Sequence, residues 1–421
     1  MSYKKLLISK KELIMMVLIL IQFLPTNGTS VRPYLFVLIL MLFSSLKKTE
    51  MRLDIFCCIY AITTVLSYII HYYAGTLGLL IAFIAFFIAA PFIVKCNVNS
   101  MVIFEKTIRF IVICFTVYAL LCIIESFAGI NVYDLLFQRS VSLTGANEPR
   151  YGFYRSHGLS TVSINNAMFL NMAWLLAAYR MYTGRKKVGR VFQFWIIGAA
   201  MLLTMSRAAI VVGVVSQLIL ARKKGIAWAS KKLLLAIIIA VMGAIFYSKE
   251  VFSLVNFVED MFAPIIANIT GKDNNTVGGV GERLLLWSWV YEKVKDNLLF
   301  GMGYDTPFRY SYSGTSGIYS WTAIKSSIEN QWLYILYQSG IIGLSGFIVF
   351  VLGCIKNVSE KINTLFESGR GITFKDTMQV LTIGYIIELF SCAAAEEIQF
   401  FYILLALFSV YKKLTNGYLR K

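Results

Sequence analysis

Apolar residues fall in blocks of about 17–25 positions, each long enough to cross roughly 30 Å of hydrocarbon as an α-helix. The blocks predict spans near 12–24, 31–46, 53–72, 75–94, 107–128, 158–180, 191–205, 207–221, 232–248, 331–353, 376–391 and 396–411. The first two and the pair around Ser206 are short, and are expected to be tilted or joined by tight turns within the membrane. Two polar stretches between blocks are long, at 129–157 and 249–330. In the second, Leu284, Trp287, Tyr291, Val294 and Leu298 recur at three- and four-residue steps, which predicts an amphipathic helix over Glu282–Leu299. Its other face carries Arg283, Glu292, Lys293, Lys295 and Asp296, and Phe300–Gly303 supplies the glycines for a stop. Such a helix is expected to lie on the membrane surface over the bundle. The expected fold is all-α: one polytopic transmembrane domain over 1–421, of about twelve helices.

Composition agrees with a membrane solvent. The chain has 421 residues, 58% of them hydrophobic and 15% charged, with a mean hydropathy of +0.70. A soluble chain of this length splits into separate cores rather than hiding so much apolar surface in one. The net charge of +18 argues for topology rather than nucleic acid, because the basic residues sit in short clusters between apolar runs. With the N-terminus inside and the spans alternating, 28 of the 40 Lys and Arg residues fall in inside segments, as the positive-inside rule requires. Both termini are then cytoplasmic, and 129–157 and 249–330 face outward. The basic N-terminus before an apolar run reads as a retained first helix, since no small-residue cleavage site follows. The seven cysteines all lie in or beside apolar runs and read as small buried hydrophobes.

The chemistry is first bounded by absences. The sequence has no Walker loop and no Asp-x-Asp, and only two histidines, His71 and His157. No Cys/His/Asp cluster has ligand spacing, so no metal and no cofactor is expected. The remaining polar residues gather on the outer side. Arg155 and His157 stand where the first long loop enters a span. Arg207 follows Ser206 in a tight break, Arg283 opens the loop helix, and Glu329 and Asn330 precede the next span. An arginine close to the bilayer is costly and usually pairs or serves a function. Several on one face suit a diphosphate, because the guanidinium matches phosphate oxygens in bidentate fashion. Each residue also has a plainer reading: Arg155 and Arg283 as solvated loop charges, Arg207 as a topology signal, Glu329 as an interfacial carboxylate or helix cap, and His157 as a satisfied loop histidine. Glu388, Glu396 and Glu397 either line a cavity or mark helix ends. The outer-loop aromatics Trp287, Trp289, Tyr291, Tyr304, Tyr310, Tyr312, Tyr319 and Trp321 suit sugar stacking and an interfacial belt equally.

Four motifs occur in a fixed order. LTMSRAAIVVG at Leu203–Gly213 resembles the Ser-Arg-small-residue span of the O-antigen ligase and polymerase (Wzy-like) family. YRSHGLSTVSINNA at Tyr154–Ala167 resembles its Arg-x-x-Gly followed by an Asn-containing helix start. ERLLLWSWVYEKVKDNLLFGMGY at Glu282–Tyr304 resembles its Arg…Trp…Asn-x-x-x-Gly-x-Gly pattern. ENQWLYILYQSGIIG at Glu329–Gly343 resembles its His-Asn-x-x-Leu…Gly-x-x-Gly helix, with Glu329 where the ligase branch typically has His. The resemblance covers roughly 150–350. It implies a glycosyltransferase acting on a polyprenyl-diphosphate-linked oligosaccharide donor and acceptor on the outer face of a bacterial inner membrane, for an O antigen, capsule or exopolysaccharide. A chain-length regulator and a flippase are the partners that such an enzyme implies, alongside membrane lipids. It assigns Arg155, Arg207 and Arg283 to the diphosphate, Glu329 to the general base, and His157 and Asn330 to the sugar hydroxyls. Polymerase is the first reading. A ligase is the alternative, and a transporter or flippase of lipid-linked glycan is the rival from another class.

Overall fold

A computed structural model describes residues 9–24, 33–46, 55–71, 77–139, 149, 152–183, 188–225, 280–304, 306–316, 319–325, 327–360, 372–393 and 399–417. Helices lie at every predicted span except 232–248, which falls outside the described residues. In order they are α1 (Lys10–Ile21), α2 (Pro33–Leu46), α3 (Ile55–Ile70), α4 (Leu77–Ile84), α5 (Ala90–Asn97), α6 (Met101–Ala128), α7 (Val132–Phe137), α8 (Ser163–Thr183), α9 (Val188–Leu203), α10 (Arg207–Lys224), α11 (Val280–Val294), α12 (Gln331–Ser359), α13 (Phe374–Glu388) and α14 (Phe400–Gly417). Three apolar helical stretches among the described residues are long enough to cross a membrane: Leu80–Asn97, Met101–Ala128 and Gln331–Ser359. The count of twelve crossings and their orientation are not set by these three. Large apolar side chains such as Phe36, Ile62, Val117 and Leu352 point outward, the surface expected of helices solvated by lipid.

Local sequence explains the element ends. Ser9 and Glu12 form a capping box at α1, as do Thr373 and Asp376 at α13. Ser100 caps α6, and Gly129, at φ +68°, closes it. Between α4 and α5 the helix widens into a π turn at Ala85–Ala89. Pro91 follows at once, and its missing N–H cannot close the ordinary ladder. Inside, aromatic rings link distant helices: Tyr60 of α3 packs on Phe83 and Phe87, and on Phe347 and Phe350 of α12.

The described part of 249–330 departs from expectation in two ways. The all-α expectation meets an exception in an antiparallel hairpin, β1 (Tyr310–Ser316) and β2 (Tyr319–Lys325), which pairs Tyr310 with Lys325 and Ser316 with Tyr319. Helix α11 buries a different stripe from the one expected. Leu286, Trp289, Val290 and Val294 face Phe308, Ile328, Leu333 and Tyr337, whereas Trp287 and Tyr291 are exposed. The run from Leu284 to Tyr291 is so nearly continuous in apolar residues that two seams fit it, and packing against α12 selects the second. The helix thus rests on protein through that face.

The turn after α11 fits into a gap in α12. Gly340 has φ +63° and ψ −162°, which breaks the helix. Ile341 N–H donates to Leu298 O at 2.9 Å and Ile342 N–H to Leu299 O at 3.2 Å, while Met302 N–H reaches Tyr337 O at 2.7 Å and Gly303 N–H reaches Gln338 O at 2.9 Å. The Ser67 hydroxyl of α3 lies 3.1 Å from Phe300 O and 3.0 Å from Gln338 O. A Cβ on Gly301 would stand 2.6 Å from the Gln338 carbonyl carbon, and one on Gly340 would overlap the Leu299 carbonyl. The glycines of the two motifs therefore serve one contact, in which two backbones approach with no side chain between them.

Candidate functional site

Arg155, His157 and Gly158 lie in the segment that leads into α8, and a buried polar network holds that segment down. Glu125, in the last turn of α6, accepts from His157 N–H at 3.0 Å, from Gly158 N–H at 3.0 Å and from the Ser156 hydroxyl at 2.9 Å. Asn166 of α8 accepts from the Tyr118 hydroxyl at 2.5 Å and donates to Ser156 O at 3.1 Å. Asn131 caps α7 through two N–H groups and donates to Gly158 O at 3.0 Å. Gly158, at φ +54°, leaves room for the Tyr118 hydroxyl, which a Cβ would meet.

His157 sits between two carboxylates. Its Nδ1 is 2.9 Å from Glu125 Oε1 and its Nε2 is 2.8 Å from Asp134 Oδ2 of α7. Asp134 also pairs with Arg139 at 2.7 Å, and Arg139 donates to the carbonyls of Gly158 and Leu159. Burial by itself pushes the imidazole down, but its contacts with Glu125 and Asp134 outweigh this and hold it above the ordinary histidine value. Both ring nitrogens are thus engaged within the protein.

This anchored segment delivers Arg155 to the break between α9 and α10. Arg155 is buried, and its Nε–H donates to Thr204 O at 3.1 Å. Thr204–Ser206 is non-helical, with Met205 at φ +52°, a conformation that costs a non-glycine residue energy unless its surroundings hold it. Arg207 is the first residue of α10, directly after the N-cap Ser206. The structure therefore brings Arg155 and Arg207 to one break. A helix N-terminus adds its own partial positive charge there.

Glu329 and Asn330 lie at the start of α12. Glu329 is half-buried. The Asn330 side chain caps the helix by accepting from Trp332 N–H at 3.0 Å and Leu333 N–H at 3.2 Å, and donates to Phe390 O at 3.2 Å. Gln331 N–H donates to Leu389 O at 2.9 Å. The start of α12 is thus fastened to the end of α13, which also packs on α8 and α10. Arg283 is placed within α11, but its side chain is outside the described residues. Of the aromatics within 249–330, Trp289 stacks on Tyr310 at 5.0 Å and Tyr304 packs near Phe83, so these belong to the core, while Trp287 and Tyr291 stay exposed. The side chains of Tyr312, Tyr319 and Trp321 are outside the described residues.

Among the described residues no group of His, Cys, Asp and Glu side chains is arranged to hold a metal ion. Glu125, Asp134, Arg139 and Asn171 are structural partners that the motifs did not single out. The available signal was the cost of burial, since a carboxylate inside an apolar run demands a partner.

Residues 192–348 match the O-antigen ligase family model. The match takes in the Thr204–Ser206 break, Arg207, α11, Glu329, Asn330 and most of α12, and bears out the resemblance read from the motifs. Arg155 and His157 precede it and Glu388 follows it. No curated protein matches the chain. Its apolar helices suit a membrane protein, and residues 192–348 are similar to a glycan-transferring O-antigen ligase domain.

Proposed function

We propose that this chain is a glycan polymerase, joining polyprenyl-diphosphate-linked repeat units on the outer face of a bacterial inner membrane. The observation that carries this reading is the Arg155–Thr204 bond, which sets two arginines at one helix break. There Arg207, the start of α10 and Arg155 together make an electropositive corner suited to a lipid diphosphate, and the motif alone adds Arg283 of α11 to it. The acceptor hydroxyl oxygen attacks the anomeric carbon of the donor, the bond from that carbon to the diphosphate oxygen breaks, and the lipid diphosphate leaves with the electron pair. Glu329 takes the hydroxyl proton. Negative charge grows on the leaving oxygen, so fixed guanidinium groups stabilise the transition state more than the ground state. Asn330 aims this carboxylate by capping α12, and His157 acts behind Arg155 through Glu125 and Asp134.

Glu329, at the place where the ligase branch carries His, favours polymerase. The description of the matching family supports the second reading, a ligase. A gel of polysaccharide from a deletion strain, complemented at matched membrane levels with wild type, Arg207→Ala or Glu329→Ala, separates them. Polymerase predicts single repeat units on the usual acceptor in the deletion strain, and no ladder from either variant. Long chains left on the lipid carrier would mean a ligase. Repeat units that never reach the outer face would mean a transporter and would remove this active site.

A further inference from the structure

Glu388 ends α13 and is 2% exposed, a carboxylate that the proposed chemistry does not use. Its Oε1 accepts from Asn171 Nδ2 of α8 at 2.7 Å, and Asn171 is itself 3% exposed. On its other side Asn171 lies against α10: a Cβ on Gly213 would stand 2.8 Å from Asn171 Oδ1. Gly213 is on the helix that Arg207 begins. The residues directly after Glu388 hold the start of α12. Leu389 O accepts from Gln331 N–H and Phe390 O from the Asn330 side chain, and the Phe390 ring stacks on Trp332 at 5.1 Å. The backbone makes this short turn rigid, since Glu388 O accepts from Ser391 N–H at 2.8 Å, from Cys392 N–H at 3.2 Å and from the Ser391 hydroxyl at 2.8 Å.

We infer that Asn171 and Glu388 form a positioning joint that sets the arginine-bearing break of α10 against the Glu329 turn of α12. This hydrogen bond is a polar tie between two halves whose helices α10 and α13 also pack on each other: on one side Asn171 touches the arginine helix, and on the other the turn from Glu388 carries the two carbonyls that fasten the carboxylate helix. Neither residue touches substrate. A buried polar pair of this kind fixes relative placement, because either partner left alone is an unsatisfied group in an apolar interior. The role of Glu388 is to accept a hydrogen bond and does not require its charge. The inference rests on the reading of Glu329 as the base only for what the joint positions.

Isosteric exchange tests it, with polysaccharide ladders scored per unit of membrane-inserted protein in the complemented deletion strain. Glu388→Gln keeps an oxygen that accepts from Asn171 and is expected to retain the ladder. Asn171→Asp sets two carboxylates face to face and is expected to cut polymerised product about tenfold or more. The double variant Asn171→Asp with Glu388→Gln restores one amide-to-carboxylate bond with its polarity reversed, and is expected to recover most of that loss. Recovery at matched protein level is a result that general destabilisation does not give. If Glu388→Gln is as inactive as Glu388→Ala in normally inserted protein, the carboxylate itself is needed and the positioning role is overturned. If every loss tracks membrane protein level, or the double variant is no better than Asn171→Asp, the joint is overturned as well. Glu329→Gln run alongside keeps the two readings apart. A full ladder from it removes the base, while the exchange series still reports whether the joint matters.

Discussion

The gap at Thr204–Ser206 and the gap at Gly340 both interrupt a helical path, yet different atoms close them. At Gly340 the closure is backbone to backbone: four N–H···O bonds link the Leu298–Gly303 turn to α12, and glycine is needed where the chains touch. At Thr204–Ser206 a side chain closes the gap, Arg155 reaching across from a segment that is itself held by Glu125, His157 and Asn166. A backbone-closed gap has no functional group to spare and serves as scaffold. A gap closed by a guanidinium keeps a cation at the break, beside a second one on Arg207. On the proposed function the first gap supplies shape and the second chemistry, and substitutions can break either half.

The largest effect is expected at the scaffold. Gly340→Ala places a methyl group into the Leu299 carbonyl at backbone angles that only glycine adopts readily. It is expected to cost on the order of 3 kcal/mol or more, seen as poor membrane accumulation or a sharply lowered melting temperature in detergent. Gly189→Ala, within α9, is the control: a Cβ built there meets nothing within 4 Å, and stability is expected to hold or to rise by up to about 1 kcal/mol. Similar behaviour of the two variants would remove the scaffold half of the comparison.

A smaller loss of stability, with a larger loss of product, is expected at the other gap. Arg155→Ala removes a buried charge-assisted hydrogen bond worth about 1.5–3 kcal/mol, and leaves Met205 in its left-handed conformation with one restraint fewer. Arg155→Lys keeps the charge but lacks the Nε–H that reaches Thr204, so it is expected to resemble Ala in melting and to regain only part of the ladder. If Arg155→Lys were to restore melting fully, charge rather than the hydrogen bond would be holding the break.

Local pattern made much of this legible. Blocks of apolar residues located the helices, and the four motifs marked the residues that form the two gaps. What sequence did not carry was which motif meets which. The Gly-x-Gly of 301–303 and Gly340 are separated by a hairpin, and only the fold shows that they share one contact. The stripe on α11 was misjudged because periodicity cannot choose between Trp287–Tyr291 and Leu286–Trp289–Val290 when all five are apolar or aromatic. The hairpin was missed although Tyr and Ser alternate through YSYS, the period-two signal of a strand. The motifs assign Asn330 and His157 to sugar hydroxyls, and His157 also reads as a satisfied loop histidine; in the fold Asn330 partners a helix end and His157 two carboxylates. Residue type alone does not distinguish a polar group that faces substrate from one that holds the group that does.

The smallest effect concerns pH, and it tests whether the anchored segment feeds the arginine gap. His157 is held above its ordinary value of 6.5 by Glu125 and Asp134, so the folded protein binds the imidazole proton more tightly than the unfolded chain does. A group raised in this way contributes stability that is complete below its unfolded value and is lost as pH rises through its folded value. Warming the protein in detergent across pH 6 to 9 is therefore expected to show a melting temperature that declines toward the alkaline side. His157→Gln is expected to remove that slope while lowering the acidic plateau. The bonds of Arg139 to Asp134, Gly158 and Leu159 do not involve the imidazole, so the segment is expected to loosen rather than unfold. Hydrogen exchange at Tyr154–Ser160 is the sharper measurement. If the protection factor there falls with pH, after correction for the base-catalysed rise that every amide shows, while that of the Leu298–Gly303 turn holds, the two gaps respond independently. If both loosen together, the backbone-closed gap is not a separate scaffold and the division between shape and chemistry fails.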